Sequence, residues 1–123
     1  MPDSVLPEGS DSDEDIYAQL EIDPKELAVL LDSGENFLLI DIRDPWELEV
    51  VSLSRAVAIP ISNLPQQVGS LDAKCRTVLL CHHGMRSAHA AIWLRQQGFN
   101  NAISVRGGID AYAREVDRSL PTY

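Results

Sequence analysis

The stretch Phe37-Leu38-Leu39-Ile40-Asp41-Ile42 is almost continuously apolar. A strand turns alternate side chains to opposite faces, so an unbroken apolar run needs cover on both of them. Helix-start signals stand on either side of it. Upstream, Asp23-Pro24-Lys25-Glu26 offers an N-cap aspartate, a proline at the first helical position and a glutamate at the third. Leu27, Leu30 and Leu31 then share one helical face, and Gly34 ends the helix. Downstream, Asp44-Pro45-Trp46-Glu47 repeats the pattern and opens a short helix. A doubly covered strand between helices belongs in a parallel sheet.

The rest of the chain keeps the alternation. Ala56 to Pro60 reads as a second strand, ended by its proline, and Ser62 to Leu71 as a short helix interrupted early by Pro65. Thr77 to Leu80 reads as a third strand and Ser87 to Gln97 as a helix stopped by Gly98. Ala102 to Val105 is a fourth strand, and Gly107-Gly108 turns the chain into a helix over Ile109 to Val116. No internal repeat is present. The expected class is α/β, with a mostly parallel central sheet and helices on both faces.

A length of 123 residues suits one domain of ordinary size. The net charge is −9, which argues against nucleic acid or an anionic membrane surface as the main partner. Asp3, Glu8, Asp11, Asp13, Glu14 and Asp15 lie within residues 1–15, where no lysine or arginine occurs. Residues 1–15 are expected to form a disordered acidic tail and residues 16–123 the domain. No apolar run approaches the roughly 20 residues that cross a bilayer. The N-terminus has neither a basic start nor an apolar core, and it is too acidic for a transit peptide. Cys75 and Cys81 would close too small a loop for a secreted scaffold. These features point to the cytoplasm and to a monomer or weak dimer.

The chemistry gathers at Val78-Leu79-Leu80-Cys81-His82-His83-Gly84-Met85-Arg86-Ser87. Here a strand runs into a cysteine, then a tight loop, then a helix. That order places a thiol at the positive end of a helix, with loop N–H groups turned toward it. Ligand sites in open α/β sheets lie beyond the carboxyl ends of strands, where Cys81 and Asp41-Ile42-Arg43 both fall. A free thiol is mostly protonated near neutral pH, and the thiolate is the nucleophile. The helix end and Arg86 both favour the thiolate. Gly84 permits a backbone angle closed to other residues. The product is a small cup for an anionic sulfur or oxyanion, with Cys81 and Arg86 as its reactive pair. His82, His83, Gly84, Met85 and Ser87 line it, and Asp41 with Arg43 forms a supporting charge pair.

The competing reading of Cys81 is an inert core cysteine, and its company of Gly84, Arg86 and a helix start argues against that. Cys75, between Lys74 and Arg76, reads as a loop residue. His82 and His83 beside Cys81 do not make a metal site: adjacent ligands cannot complete a tetrahedron, and no second Cys/His pair has zinc spacing. No metal and no cofactor are expected. Gly107-Gly108 lacks a phosphate fingerprint and reads as turn geometry.

Taken together, Leu39 to Arg43 with Glu47, Cys81-x-x-Gly84-x-Arg86-Ser87, Leu94-x-x-x-Gly98-Phe99 and Gly107-Gly108-Ile109-x-Ala111-Tyr112 resemble the single-domain rhodanese family. The resemblance covers Asp23 to Ala113. It implies a rhodanese-like fold and a sulfurtransferase whose cysteine accepts sulfane sulfur as a persulfide. Loop amides would hold that persulfide. The implied partners are a small sulfur donor, thiosulfate or a persulfide, and a thiol, cyanide or protein acceptor. Related phosphatase loops place five residues between cysteine and arginine; four stand between Cys81 and Arg86 here, a cup sized for sulfur rather than phosphate. One stretch departs from the family. Where Gly-His-Ile-Pro-Gly-Ala is common, this chain has Val51-Ser52-Leu53-Ser54-Arg55-Ala56. That departure and the acidic tail keep open a second reading, an interaction module with little catalysis.

Overall fold

The computed structural model describes residues 19–123. The expected acidic tail, residues 1–15, lies outside the described residues. Five strands form one sheet: β1 (Glu21–Ile22), β2 (Phe37–Asp41), β3 (Val57–Ala58), β4 (Arg76–Leu80) and β5 (Ala102–Val105). Every pairing is parallel, and the order across the sheet is β1-β5-β4-β2-β3. The helices are α1 (Pro24–Ser33), α2 (Pro45–Val50), α3 (Leu64–Gln67), α4 (Met85–Gln96) and α5 (Gly108–Glu115). Two 3-10 turns, Ile61–Asn63 and Val68–Ser70, flank α3. The α/β class with a parallel sheet is what the alternation of runs predicts.

Local chemistry explains the elements. Glu26 returns to the Asp23 N–H at 3.1 Å, and Glu47 returns to the Asp44 N–H at 3.0 Å, so both helix starts are capping boxes. Gly34 ends α1 in the left-handed conformation. The region from Ser62 to Leu71 is a single short turn of helix between 3-10 turns, and Pro65, with no N–H to give the Ile61 carbonyl, separates the first of these from α3. The second strand is shorter than expected, and β1 was not anticipated. Two residues are too few to show a period.

Alternation sorts the core into two halves. Phe37, Leu39, Val78, Leu80 and Val105 pack with Leu27 and Leu30 of α1 and with Ile109 and Tyr112 of α5. Ile40, Ile42, Leu79 and Cys81 pack on the opposite face with Leu64, Ala90, Ala91 and Leu94. The parity of β4 therefore assigns Cys81 to the face covered by α4. Beyond the carboxyl end of β2, Arg43 is fully buried and paired with Asp41 at 2.7 Å. Its remaining donors reach the Val51 carbonyl at 2.7 Å and the Tyr123 hydroxyl at 2.8 Å. The divergent 51–56 stretch thus supplies a carbonyl to the buried guanidinium. Arg55, within the same stretch, lies 4.5 Å above the Phe37 ring at the amino end of β2, away from the carboxyl edge. Among the described residues, no helix is long and apolar enough to cross a membrane.

Removing one member of a fully buried ion pair leaves the other charge unpaired, at a cost of about 3–5 kcal/mol. Asp41→Ala is expected to lower the unfolding free energy by that amount, read from urea denaturation curves at neutral pH. A loss below about 1 kcal/mol would show that the pair does not hold the β2 end.

Candidate active site

Cys81 follows β4 directly and is buried. The chain then turns through His82 and His83 to Gly84, whose φ of 101° only glycine adopts readily. A Cβ there would also press on the Gly107 backbone nitrogen at 3.0 Å. Gly84 is the N-cap of α4, so the helix begins at Met85, two residues before the expected start. A glycine has no side chain with which to cap a helix. The Cys81 sulfur takes that place: it accepts the Gly84 N–H at 3.0 Å and the Ser87 N–H at 3.3 Å. Those are amides of the N-cap and of the third helical residue, the position a capping oxygen serves. The Ser87 hydroxyl lies 3.2 Å from the same sulfur.

The loop is held from behind by α5. The Ile109 N–H donates to the Cys81 carbonyl at 2.8 Å and the Asp110 N–H to the His82 carbonyl at 3.0 Å. A Cβ at Gly108 would overlap both carbonyl groups. The Gly107-Gly108 pair is therefore more than a turn: it lets the first turn of α5 seat against the loop that follows Cys81.

Arg86 projects from the first turn of α4 into a two-pronged pair with Glu47, with both N···O distances 2.9 Å. Glu47 is almost fully buried and also accepts the Tyr123 hydroxyl at 2.6 Å. The Arg86 guanidinium, set against partial burial and helped by Tyr123 and Asp44, holds the Glu47 carboxyl down at about 2. Arg86 is pushed up in turn, chiefly by its bonds to Glu47. Burial, then the bond to Glu47, raises the Tyr123 phenol to about 12. Asp41, Arg43, Tyr123, Glu47 and Arg86 thus form one linked series from the end of β2 to the start of α4.

The remaining expected residues take separate positions. The His82 ring is stacked between the rings of His83 and Tyr123, each 3.8 Å away, and its Nε2 is buried without a hydrogen-bond partner. His83 is exposed, with Nε2 3.9 Å from Asp110. Met85 is 69% exposed and stands at the rim. His82, His83 and Asp110 bring ligand-type atoms within 4.8 Å of one another. The His82 and His83 rings are stacked with 28° between their planes. Arg114 also donates to the Asp110 carboxylate at 2.9 Å. Asp41 and Arg43 carry no hydrogen bond to Cys81, and their contacts are structural.

Three residues of this region were not anticipated as site residues. Glu47 is legible as a capping residue and as part of the family pattern, but not as the partner of Arg86. Tyr123 lies eighty positions from Arg43 in the chain. Ser104, whose hydroxyl is 2.6 Å from that of Ser87, sits in an otherwise apolar strand.

Comparison with known proteins agrees with this fold. The family model described as rhodanese-like domain matches residues 23–115. The chain is 38% identical over 104 residues to a probable adenylyltransferase/sulfurtransferase, MoeZ, of Mycobacterium tuberculosis, covering 83% of this chain and 26% of that protein. It is 35% identical over 94 residues to a sulfurtransferase of Allochromatium vinosum, covering 76% of this chain and 88% of that one. The crystal structure of a rhodanese-related protein from Thermoplasma volcanium superposes with a TM-score of 0.70 at 31% identity, over 78% of this chain and 92% of that one. The chain spans about a quarter of the length of MoeZ and of several other curated relatives it matches.

A carboxyl held at about 2 in the fold, against 4.5 for the free group, stabilises the protein above pH 4.5 and loses that contribution as pH falls toward 2. The shift corresponds to roughly 3 kcal/mol, and solvent screening at the partly exposed Arg86 end reduces it to roughly 2 kcal/mol. Glu47→Gln should lose about that much stability at neutral pH and show a flatter decline in acid. Urea denaturation at pH 7 and near pH 3 reads the difference. Parallel acid profiles for parent and variant would contradict the assignment.

Proposed function

This chain belongs to the rhodanese-like domain family, and on that premise we propose that it is a sulfurtransferase working through a Cys81 persulfide. The observation that carries the reading is the Cys81 sulfur at the head of α4, accepting two backbone N–H groups. Such donors are aimed at negative charge and need no rearrangement when it forms. In the first half-reaction the Cys81 thiolate attacks the outer sulfur of thiosulfate or of a persulfide. A new S–S bond forms, the donor S–S bond breaks, and sulfite or a thiolate leaves with the electron pair. In the second, a thiolate, cyanide or a thiol-bearing protein attacks the outer sulfur, and the Cys81 thiolate departs. The N–H groups that favour the attacking thiolate favour it again as leaving group.

Arg86 adds positive charge beside the cup and attracts an anionic donor. Only two of its five N–H groups are used by Glu47, so others are free for a sulfonate or thiolate. His82, His83 and Met85 form the rim through which donor and acceptor approach, with Gly84 and Ser87 completing the cradle. The four-residue spacing between Cys81 and Arg86 supports a sulfur-sized occupant over a phosphoryl group. Relatives named as sulfurtransferases support the same reaction class. A chemistry that needs a free thiol suits a reducing compartment such as the cytoplasm, and both cysteines are unpaired.

Intact-mass measurement after incubation with thiosulfate tests the proposal. The protein should gain one sulfur atom, lose it to cyanide or dithiothreitol, and gain none as Cys81→Ser. Equal gain by the variant, or none by the parent across thiosulfate and glutathione persulfide, would sink the mechanism. Partner capture that survives Cys81→Ser in a protein that gains no sulfur would favour the interaction module.

A further inference from the structure

Behind the Cys81 sulfur lie two buried hydroxyls. Ser87 is on the first turn of α4, and Ser104 is on β5 in register with Leu79 of β4. Strand parity turns Ser104 to the same face as Leu79 and Cys81, and both serines are fully buried. Their oxygens are 2.6 Å apart, and the Ser87 oxygen is 3.2 Å from the Cys81 sulfur.

Counting protons fixes the direction of this chain. Ser104 has one hydroxyl proton, and the acceptor within its reach among the described residues is the Ser87 oxygen. A buried hydroxyl proton without an acceptor is costly, so Ser104 donates to Ser87. The Ser87 proton is then barred from Ser104 and has two acceptors left. One is the Gly84 carbonyl at 3.3 Å; the other is the Cys81 sulfur. With Cys81 as thiol, S–H donates to the Ser87 oxygen and Ser87 donates to Gly84. With Cys81 as thiolate, the Ser87 hydroxyl turns to the sulfur, and donation from Ser104 strengthens it as a donor.

We propose that Ser104 is a positioning residue for sulfur transfer: by donating to the Ser87 oxygen it strengthens the Ser87 hydroxyl as a donor to the Cys81 thiolate, and so favours the thiolate as nucleophile and as leaving group. The role in transfer rests on the sulfurtransferase reading, but the effect on thiol reactivity does not. Charged and titratable groups around the sulfur and its loop are Arg86 on α4, backed by Glu47, His82 and His83 in the loop, Asp110 on α5, and Tyr123 stacked on His82. Substitution of Ser104 leaves all of them in place.

The test uses the full chain in a Cys75→Ser background, so that alkylation reports Cys81 alone. Rates with iodoacetamide are measured from pH 5 to 10 for the parent, Ser104→Ala and Ser104→Thr, alongside thermal melts. Loss of a partner to a charged sulfur through one intervening hydroxyl should slow Ser104→Ala about three- to tenfold near pH 7. The difference between the curves should narrow as pH rises toward 10. Ser104→Thr, which keeps the hydroxyl, should follow the parent. Return of sulfur from the persulfide to dithiothreitol should slow in Ser104→Ala by a similar factor. An unchanged alkylation profile in Ser104→Ala overturns the proposal. So does a Ser104→Thr as slow as Ser104→Ala with a parental melt. Slowed alkylation in a protein that never gains sulfur supports the hydroxyl chain and removes its use in sulfur transfer.

Discussion

The loop after Cys81 depends on two hydrogen bonds from the start of α5, Ile109 N–H to the Cys81 carbonyl and Asp110 N–H to the His82 carbonyl. In a trans peptide the N–H points opposite to the carbonyl. Tying these two carbonyls to α5 therefore directs the following amides away from it. The loop keeps that arrangement because Gly108 has no side chain to separate the two backbones. One close backbone approach thus supports the placement of the sulfur and the start of α4 together.

A second support comes from charge. Glu47 caps α2 through the Asp44 N–H and grips Arg86 with the same carboxylate, so the end of β2 and the start of α4 are joined by one side chain. Tyr123 couples that carboxylate to the buried Arg43–Asp41 pair and covers His82 with its ring. The loop is consequently braced on one side by α5 and on the other by this series.

Much of the framework was legible in the chain. The Phe37–Ile42 run required two covering layers, and the capping boxes at Asp23 and Asp44 marked helix starts that the structure contains. The two-residue β1 carried no signal because two positions cannot display a period of two. The start of α4 was misjudged by two residues because its cap is a cysteine sulfur from four positions upstream of Met85, not a local oxygen side chain. Tyr123 and Ser104 were invisible for another reason. Their roles arise from residues many positions away, and neither has a local pattern that announces a contact.

By itself, then, the sequence determined the order of elements from α1 onward, the parallel sheet and the candidate nucleophile, since each follows from local periodicity, capping or spacing. Tertiary structure alone decided which face of the sheet Cys81 occupies, what its sulfur touches and how Arg86 is restrained. Those outcomes depend on strand register and on the seating of α5 and Tyr123. Both are set by packing across the whole domain, where no short stretch of residues holds the information.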